Sequence, residues 1–386
     1  MTHTITNNRK DAVPSQGIDS QKRLYCIEFF RILFILFVVC GHAWEIPFPA
    51  FKKVIFSLLH TPQISYGQAV EFFYLIGGFF LYKRVTSGLP TSSLIYKTYM
   101  RLLPGMLVAF LVLVCIHYTP VSHFPLVLSL LGGTALDKSY YMGFGEYFIS
   151  TYFWSTCLFI SIFTKFPKSA LLWLGIILFL SFTLSCHKQL IGDQMKAVVG
   201  NGSFDAYYGI FGVRMVRAIQ CMGLGLIVGY LARVIILPRV VWFRITFTLI
   251  EGACTYCVFH HIIDTRHSSF SYLGILIVFS ILLISISQSY GYFSAVLNKA
   301  SWVQCISRYT LPVFFSQITV MAVMVKYKGF GLSCIPGMII FLVAAIILGV
   351  IEYHVIEQYL VPKLKKNFAS TNIADGGGGK YCSNRE

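Results

Sequence analysis

The feature that most constrains this chain is an apolar stretch that carries three ionisable side chains. It runs from Ile27 to Trp44, reads IEFFRILFILFVVCGHAW, and is long enough to cross a bilayer as a helix. Glu28, Arg31 and His42 lie inside it. Ionisable groups are costly within a membrane span and face protein or water, so their presence predicts a functional site.

Helical spacing places these charged side chains on one wall of the helix. Arg31 and His42 point within about 20° of one another and lie about 16 Å apart along the axis. Glu28 is three residues before Arg31 and shares this face. A structural interpretation stays open, because Glu28 and Arg31 could pair at one membrane surface while His42 reaches the other.

The composition of the chain is that of a polytopic membrane protein. Of its 386 residues 56% are hydrophobic and 12% charged, with a mean hydropathy of +0.70, whereas soluble domains carry about 25% charged residues. The net charge of +16 comes from lysines and arginines spread through loops. Such residues flank cytoplasmic helix ends, so we expect no nucleic-acid partner. We also expect neither a cleavable signal peptide nor a disulfide framework.

We predict an all-α, polytopic membrane helical bundle of about ten transmembrane helices with both termini cytoplasmic. The predicted helices are 24–44, 66–82, 102–119, 146–164, 169–186, 209–232, 241–260, 271–289, 305–325 and 334–356. A further apolar piece, 124–136, is too short to span and is predicted to be interfacial or re-entrant. The predicted divisions are a disordered cytoplasmic lead at 1–21, a membrane domain at 22–362, and a basic then glycine-rich flexible cytoplasmic tail at 363–386.

Ionisable residues also gather near the outer ends of the predicted helices. The topology brings Glu71, Glu146, Arg214 and Arg217 to the same side as His42. Glu71 and His42 lie at similar depth on consecutive antiparallel helices, so we predict that the carboxylate orients the imidazole as a general base. A buried ion pair that holds two helices together is the alternative.

A second group gathers on the inner side and contains Glu28, Arg31, Lys97 and Arg101. Lys97 and Arg101 are four residues apart and share one helix face, where basic side chains suit phosphate. Ordinary positive-inside flanking of a span is the alternative. A site near each membrane face favours chemistry between a donor from one side and an acceptor from the other.

The sequence CTYCVFHH in the seventh predicted helix has the ligand types of a metal site. Cys254, Cys257 and His261 could ligate a metal, although covalent haem attachment is excluded because no histidine directly follows Cys257. The cysteines lie in an apolar span, so we expect no metal and leave the role of the cluster open. Glu251, one turn earlier, is an intramembrane acid for which the sequence identifies no partner.

Several motifs together resemble the integral-membrane acyltransferase-3 family. They are the arginine and histidine separated by ten residues in the first helix, VEFFYLIGGFFL at 70–81, YMRLLPGM at 99–106, EYFISTYFW at 146–154, SRYTLPVFFSQ and VIEQYLVP. The resemblance covers about residues 22–362. The family often has two arginines three residues apart at the start of the third helix, but here Thr98 and Arg101 occupy those positions. Lys97 could supply the missing contact.

The resemblance implies an O-acetyltransferase that moves an acetyl group from acetyl-CoA to a hydroxyl of a bacterial surface polysaccharide such as O-antigen, or of its lipid-linked precursor. It implies a location in the bacterial inner membrane, an essential histidine and a CoA site at the start of the third helix. We accordingly assign three roles. The catalytic residues are His42, Glu71 and Arg31; the donor-binding residues are Lys97, Arg101 and Glu28; the acceptor-binding residues are Glu146, Arg214 and Arg217.

Two other functions are weighed against this one. A polytopic transporter or flippase for a glycan or lipid-linked precursor predicts polar residues along several spans and an internal repeat, and the sequence has neither. A non-catalytic membrane scaffold predicts that replacing His42 leaves function intact. We expect the membrane domain to carry the complete activity. The acceptor sugar, the acyl group, a sequential or ping-pong mechanism and the oligomeric state stay open.

Overall fold

The computed structural model describes residues 24–45, 67–132, 146–190, 207–208, 211–235, 238, 240–263, 269–327 and 334–363. Within these ranges the protein is a bundle of α-helices with one short pair of antiparallel strands. The predicted lead, 1–21, and residues 364–386 of the predicted tail lie outside the described residues.

Ten helices of 17 to 25 residues make up the described bundle. They are α1 Tyr25–Glu45, α2 Gly67–Val85, α3 Thr91–Cys115, α5 Glu146–Lys165, α6 Ala170–Leu190, α7 Val213–Val234, α8 Val241–Ile263, α9 Ser269–Gln288, α12 Thr310–Lys326 and α13 Cys334–Glu352. The short elements are a 3₁₀ turn Val121–His123, α4 Phe124–Leu128, β1 Tyr207–Tyr208, β2 Phe211–Gly212, α10 Tyr292–Leu297, α11 Trp302–Ser307 and a π-helical segment Tyr353–Leu360 that continues α13.

Six described segments are long and apolar enough to cross a membrane. They are Tyr25–Ala43, Thr91–Cys115, Glu146–Lys165, Arg214–Val234, Trp302–Lys326 and Ile335–Lys363. The predicted class, a helical membrane bundle, is therefore confirmed. The count of about ten spans and the cytoplasmic side of both termini stay predictions.

The third helix differs most from its predicted bounds. We predicted 102–119, whereas α3 begins at Thr91, directly after Pro90, and ends at Cys115. Hydropathy detects only the apolar part of a helix, so the polar first turns, which carry Lys97 and Arg101, were missed. Pro104 lies inside α3, and proline is tolerated in membrane helices in general because neighbouring groups can satisfy the freed carbonyl.

The ninth predicted helix, 305–325, is two helices in the structure. The short α11 ends at Ser307, and α12 begins at Thr310. The apolar pattern continues across this junction, so periodicity gave no sign of it. The short apolar piece predicted at 124–136 is helical only over Phe124–Leu128; residues 133–136 lie outside the described residues.

Helices α2 and α7 pack backbone against backbone through glycines. A Cβ atom placed on Gly78 would meet the carbonyl oxygen of Met222, and one placed on Gly225 would meet that of Leu75. Small residues allow membrane helices to approach this closely. The contact fixes the depth of α2 relative to α7, and so the relative positions of the charged residues near their ends.

A cluster of phenylalanines holds α1 against the bundle between its two polar ends. The ring centroids of Phe34 and Phe72 are 4.4 Å apart, and those of Phe72 and Phe279 are 5.3 Å apart. All three side chains are buried. Aromatic pairs in this arrangement contribute about 0.5–1.5 kcal/mol beyond their buried area, so α1, α2 and α9 are joined by a rigid apolar block.

Glu251 has the partners that the sequence did not identify. Its Oε1 accepts hydrogen bonds from Ser285 Oγ at 2.7 Å, from Ser294 Oγ at 2.6 Å and from the Gly291 N–H at 3.2 Å, while Oε2 accepts one from the Ser294 N–H at 3.1 Å. The carboxylate thus satisfies backbone donors at the start of α10. Glu251 fixes α10 against α8 and α9, and this is a structural role.

Replacing Gly225 with alanine tests the α2–α7 contact. We expect Gly225→Ala to destabilise the protein by about 1–3 kcal/mol, because the added methyl group collides with backbone rather than with a movable side chain. The measurement is the thermal unfolding midpoint of the purified protein in detergent. Gly252→Ala is the matched control, since nothing lies within 4 Å of a Cβ atom at Gly252. Equal midpoints for the two variants would contradict the packing described.

Candidate functional site

The first polar end of α1 is built around the Arg31 guanidinium. Nη1 donates to Glu28 Oε2 at 2.7 Å, and Nη2 donates to Thr310 Oγ1 at 3.1 Å. The Glu28–Arg31 pair of the structural interpretation is therefore present. Thr310 begins α12, so the same arginine also joins α1 to a helix far along the chain, which spacing within α1 could not indicate.

At the other end of α1, the His42 side chain is 6% exposed and lies beside Gln317 of α12. The distance from His42 Nδ1 to Gln317 Oε1 is 3.4 Å. With Nδ1 as the donor to this amide oxygen, Nε2 of the neutral ring has the lone pair. Our sequence analysis gave Gln317 no role.

The Glu71 carboxylate does not orient His42 in the structure. Its Oε1 accepts a hydrogen bond from Arg217 Nη2, and the Glu71 side chain is fully buried. No described contact joins Glu71 to His42, so the predicted hydrogen bond is absent from the described residues. The alternative of a buried ion pair between two helices is present, with α7 as the partner of α2. The physical reason is charge, since a buried carboxylate gains more from a guanidinium than from a neutral ring.

The residues predicted to bind the acceptor meet at one end of the bundle. The Arg214 guanidinium of α7 lies 3.9 Å from the ring centroid of Tyr147 of α5, a favourable cation–π contact. Tyr147 adjoins Glu146, which begins α5 and is fully buried. Arg217 pairs with Glu71 one turn further along α7. The ends of α2, α5 and α7 thus bring together all four charged residues that we predicted on this side.

An aromatic contact connects this group to α12, the helix that carries Gln317. The Phe148 ring of α5 lies 5.2 Å from that of Phe314 and 4.9 Å from that of Tyr74, between ring centroids. Phe314 precedes Gln317 by three residues and shares its helix face. We call the polar residues gathered here the histidine-end cluster: His42, Gln68, Glu71, Glu146, Ser150, Arg214, Arg217 and Gln317.

Four buried polar atoms of this cluster have no hydrogen-bond partner among the described residues. They are Gln68 Oε1, Glu71 Oε2, Ser150 Oγ and Gln317 Nε2. A buried polar atom without a partner destabilises the fold by about 1–3 kcal/mol. Because most buried polar atoms in proteins are paired, these atoms are candidates to form hydrogen bonds with a ligand or with water. The set contains an amide donor, two acceptors and a hydroxyl, so it fits a ligand that both donates and accepts hydrogen bonds.

The opposite end of the bundle is electropositive. Lys97 and Arg101 of α3 are exposed, and Arg101 lies close enough to Arg31, Arg84 and the Glu357 carboxylate for its charge to act on all three. Between described residues, neither Arg84 nor Arg101 forms an ion pair. We call Glu28, Arg31, Arg84, Lys97 and Arg101 the arginine-end cluster.

Arg84 is a member of this cluster that the sequence analysis missed. It lies at the end of α2 and donates to the Leu94 carbonyl oxygen and to Thr98 Oγ1, both at 3.1 Å. Thr98 is the position at which the family resemblance led us to expect a second arginine. The structure brings a guanidinium to that position from a different helix. A basic residue at the end of a helix is also an ordinary topology signal, so the sequence alone gives Arg84 no role in a site.

The described side chains of the CTYCVFHH motif do not converge on one point. Cys254 is buried while Cys257 and His260 are exposed, so these side chains lie on different faces of α8. No group of three potential metal ligands occurs among the described residues. The side chain of His261 lies outside the described residues.

A family model described as an acyltransferase domain matches residues 24–354 of the chain. The chain belongs to the acyltransferase-3 family. The match extends from α1 into the π-helical segment after α13 and includes both clusters, so the predicted family is confirmed and the protein is a membrane acyltransferase. No curated protein and no solved structure matches the chain.

The buried ion pair of this acyltransferase can be tested by removing one partner and then both. We expect Glu71→Leu to destabilise the protein by about 3–5 kcal/mol, because Arg217 loses its buried carboxylate. The double variant Glu71→Leu/Arg217→Met should recover much of that loss, since apolar side chains of similar volume can replace a buried pair. Thermal unfolding in detergent measures both effects.

Glu28→Gln is the control, because the Glu28–Arg31 pair is partly exposed, with side chains 21% and 18% accessible. Such a pair contributes about 1 kcal/mol or less. The single variant Arg217→Met completes the comparison. A loss of stability in the double variant equal to the sum of the losses in Glu71→Leu and Arg217→Met would show that Glu71 and Arg217 are not coupled.

Proposed function

We propose that the protein is an O-acetyltransferase that moves an acetyl group from acetyl-CoA to a hydroxyl of a bacterial surface polysaccharide, such as O-antigen, or of its lipid-linked precursor. The single observation that carries this proposal is that α1 bears a polar cluster at each end, about 16 Å apart along its axis. One cluster is cationic, and the other contains a buried histidine together with four buried polar atoms that have no partner among the described residues.

The arginine-end cluster suits the phosphates of acetyl-CoA. Arginine and lysine side chains bind phosphate through charge-assisted hydrogen bonds. Arg84 and Arg101 approach from two helices, and exposed Lys97 lies on the same α3 face as Arg101. Glu28 holds Arg31 in place through its 2.7 Å bond. The positive-inside bias supports placing this end at the cytoplasmic surface of the bacterial inner membrane.

The histidine-end cluster suits the hydroxyl groups of a sugar. A hydroxyl donates one hydrogen bond and accepts two, so one sugar unit can satisfy both the amide donor and the carbonyl and carboxylate acceptors that lack partners here. Glu146, Arg214 and Arg217 supply fixed charges around this space, and Arg214 is held by Tyr147. These residues support a carbohydrate acceptor rather than an apolar one.

His42 is the base of the proposed reaction. Nε2 takes the proton of the acceptor hydroxyl while the hydroxyl oxygen attacks the thioester carbon, and the carbonyl electron pair moves to its oxygen. When the carbonyl reforms, the carbon–sulfur bond breaks and the CoA thiolate takes the proton from the imidazolium. Arg31 is too far from His42 to stabilise this oxyanion, since about 16 Å separates them. Arg31 therefore acts on the donor.

Replacing His42 tests the proposed base. We expect His42→Ala to abolish acetylation while the protein still accumulates in the membrane, because general acid–base catalysis contributes about 10²–10⁴-fold. The measurement is mass analysis of the glycan from cells with matched protein levels. Cys40→Ala is the control, since Cys40 lies on the exposed face of α1. Substantial acetyl ester in the His42 variant would remove this residue from the mechanism.

Replacing Arg84 and Arg101 tests the proposed donor site. Each change to alanine should raise the acetyl-CoA concentration for half-maximal rate in membrane vesicles by about tenfold or more, because a hydrogen bond to a charged group contributes about 1.5–3 kcal/mol. Lys97→Ala should add to the effect. Lys165→Ala is the control, since Lys165 is an exposed basic residue at another helix end. If the variant with both Arg84 and Arg101 changed to alanine needs no more acetyl-CoA than the parent protein, these residues only set the orientation of the helices in the membrane.

A further inference from the structure

In the described structure the oxygen of the Gln317 amide has a hydrogen-bond partner and the nitrogen has none. Gln317 is fully buried on α12, and its Oε1 faces His42 Nδ1. Its Nε2 has no hydrogen-bond partner. An amide N–H₂ group carries two donors, so this side chain keeps two buried donors beside the histidine that we propose as the base.

The helix that presents this amide is firmly held. The neighbouring Ser316 Oγ donates to the Ala345 carbonyl oxygen of α13 at 2.7 Å. On the same helix, Val313 packs against Gly349 of α13 so closely that a Cβ atom there would collide with Val313. Thr310 binds Arg31 at the start of the helix. Donors on a fixed helix keep their direction during a reaction, which is the requirement for electrostatic stabilisation of a transition state.

Acyl transfer creates negative charge at one atom, the carbonyl oxygen of the thioester. Donors aimed at that oxygen in a water-poor site stabilise the tetrahedral intermediate, and removal of one such donor lowers kcat by about 10²–10³-fold in known cases. Nε2 and Oε1 of Gln317 are bonded to the same carbon. Gln317 Nε2 therefore lies next to the His42 ring, which must contact the acceptor hydroxyl. During the attack the thioester carbonyl has to lie close to both the His42 ring and the Gln317 amide nitrogen.

We propose that Gln317 acts twice in the reaction. Its Oε1 accepts the hydrogen bond from His42 Nδ1 and positions the ring, and its Nε2 donates to the oxyanion that forms when the acceptor hydroxyl attacks the thioester. This inference rests on the proposed acetyl transfer. It gives a catalytic role to the one member of the histidine-end cluster that lies on α12.

Two substitutions separate the two actions. Gln317→Glu keeps an oxygen acceptor for His42 Nδ1 but removes the donors, whereas Gln317→Met removes both the acceptor and the donors at similar volume. If Gln317 acts twice, both variants lose about 10²–10³-fold in kcat, with little change in KM for acetyl-CoA, because the lost interaction exists only in the transition state. The assay is acetyl transfer in membrane vesicles, per folded protein.

Ser316→Ala is the matched control, because it removes one contact of α12 without altering the amide, while the contacts of Val313 and Thr310 still hold the helix. It should keep a kcat within about threefold of the parent protein. Near-parental kcat in Gln317→Glu together with a large loss in Gln317→Met would overturn the oxyanion role and leave positioning alone. Near-parental kcat in both variants would overturn both roles.

These outcomes are distinguishable from a failure of the proposed function. If the parent protein transfers acetyl from acetyl-CoA and His42→Ala does not, unaffected Gln317 variants overturn the inference about Gln317 only. If the parent protein itself transfers no acetyl from acetyl-CoA, the proposed function is wrong, and so is the inference that rests on it.

Discussion

Two hydrogen bonds join α1 to α12, one near each end of α1, and both proposed active regions depend on them. Arg31 binds Thr310 at 3.1 Å, and His42 lies 3.4 Å from Gln317. Between them lies the apolar block around Phe34. The two clusters are therefore parts of one rigid pair of helices. A donor held at the arginine end and an acceptor held at the histidine end would be aligned by the same scaffold.

The placement of charge follows from the cost of burying it. Each ionisable residue in an apolar span needs compensation, and the structure supplies it in three ways. Glu71 is paired with Arg217, Arg214 lies over Tyr147, and Glu251 accepts four hydrogen bonds. Glu251 has both oxygens engaged and is structural, whereas Glu71 keeps Oε2 unpaired. This difference separates a carboxylate that supports the fold from one that is available to a ligand.

Features that arise within one helix could be predicted from the sequence, whereas contacts between helices that are distant in the chain could not. The span around Arg31 and His42 and the Glu28–Arg31 pair follow from periodicity and spacing alone, and the motif resemblance gave the family. The partners of His42 and Glu71 do not follow, because 275 residues separate His42 from Gln317 and 146 separate Glu71 from Arg217. Arg84 was missed because a basic residue at a helix end is also an ordinary topology signal.

The most direct test of the account is acetyl transfer by the purified protein in liposomes that contain its native glycan. Acetyl-CoA labelled in the acetyl group is supplied, and label in base-labile glycan ester is measured together with the CoA thiol released. The account predicts one thiol for each ester formed, in liposomes with the protein and not in empty ones. Glycan that crosses the bilayer without acquiring ester, or thiol release without ester, would contradict it.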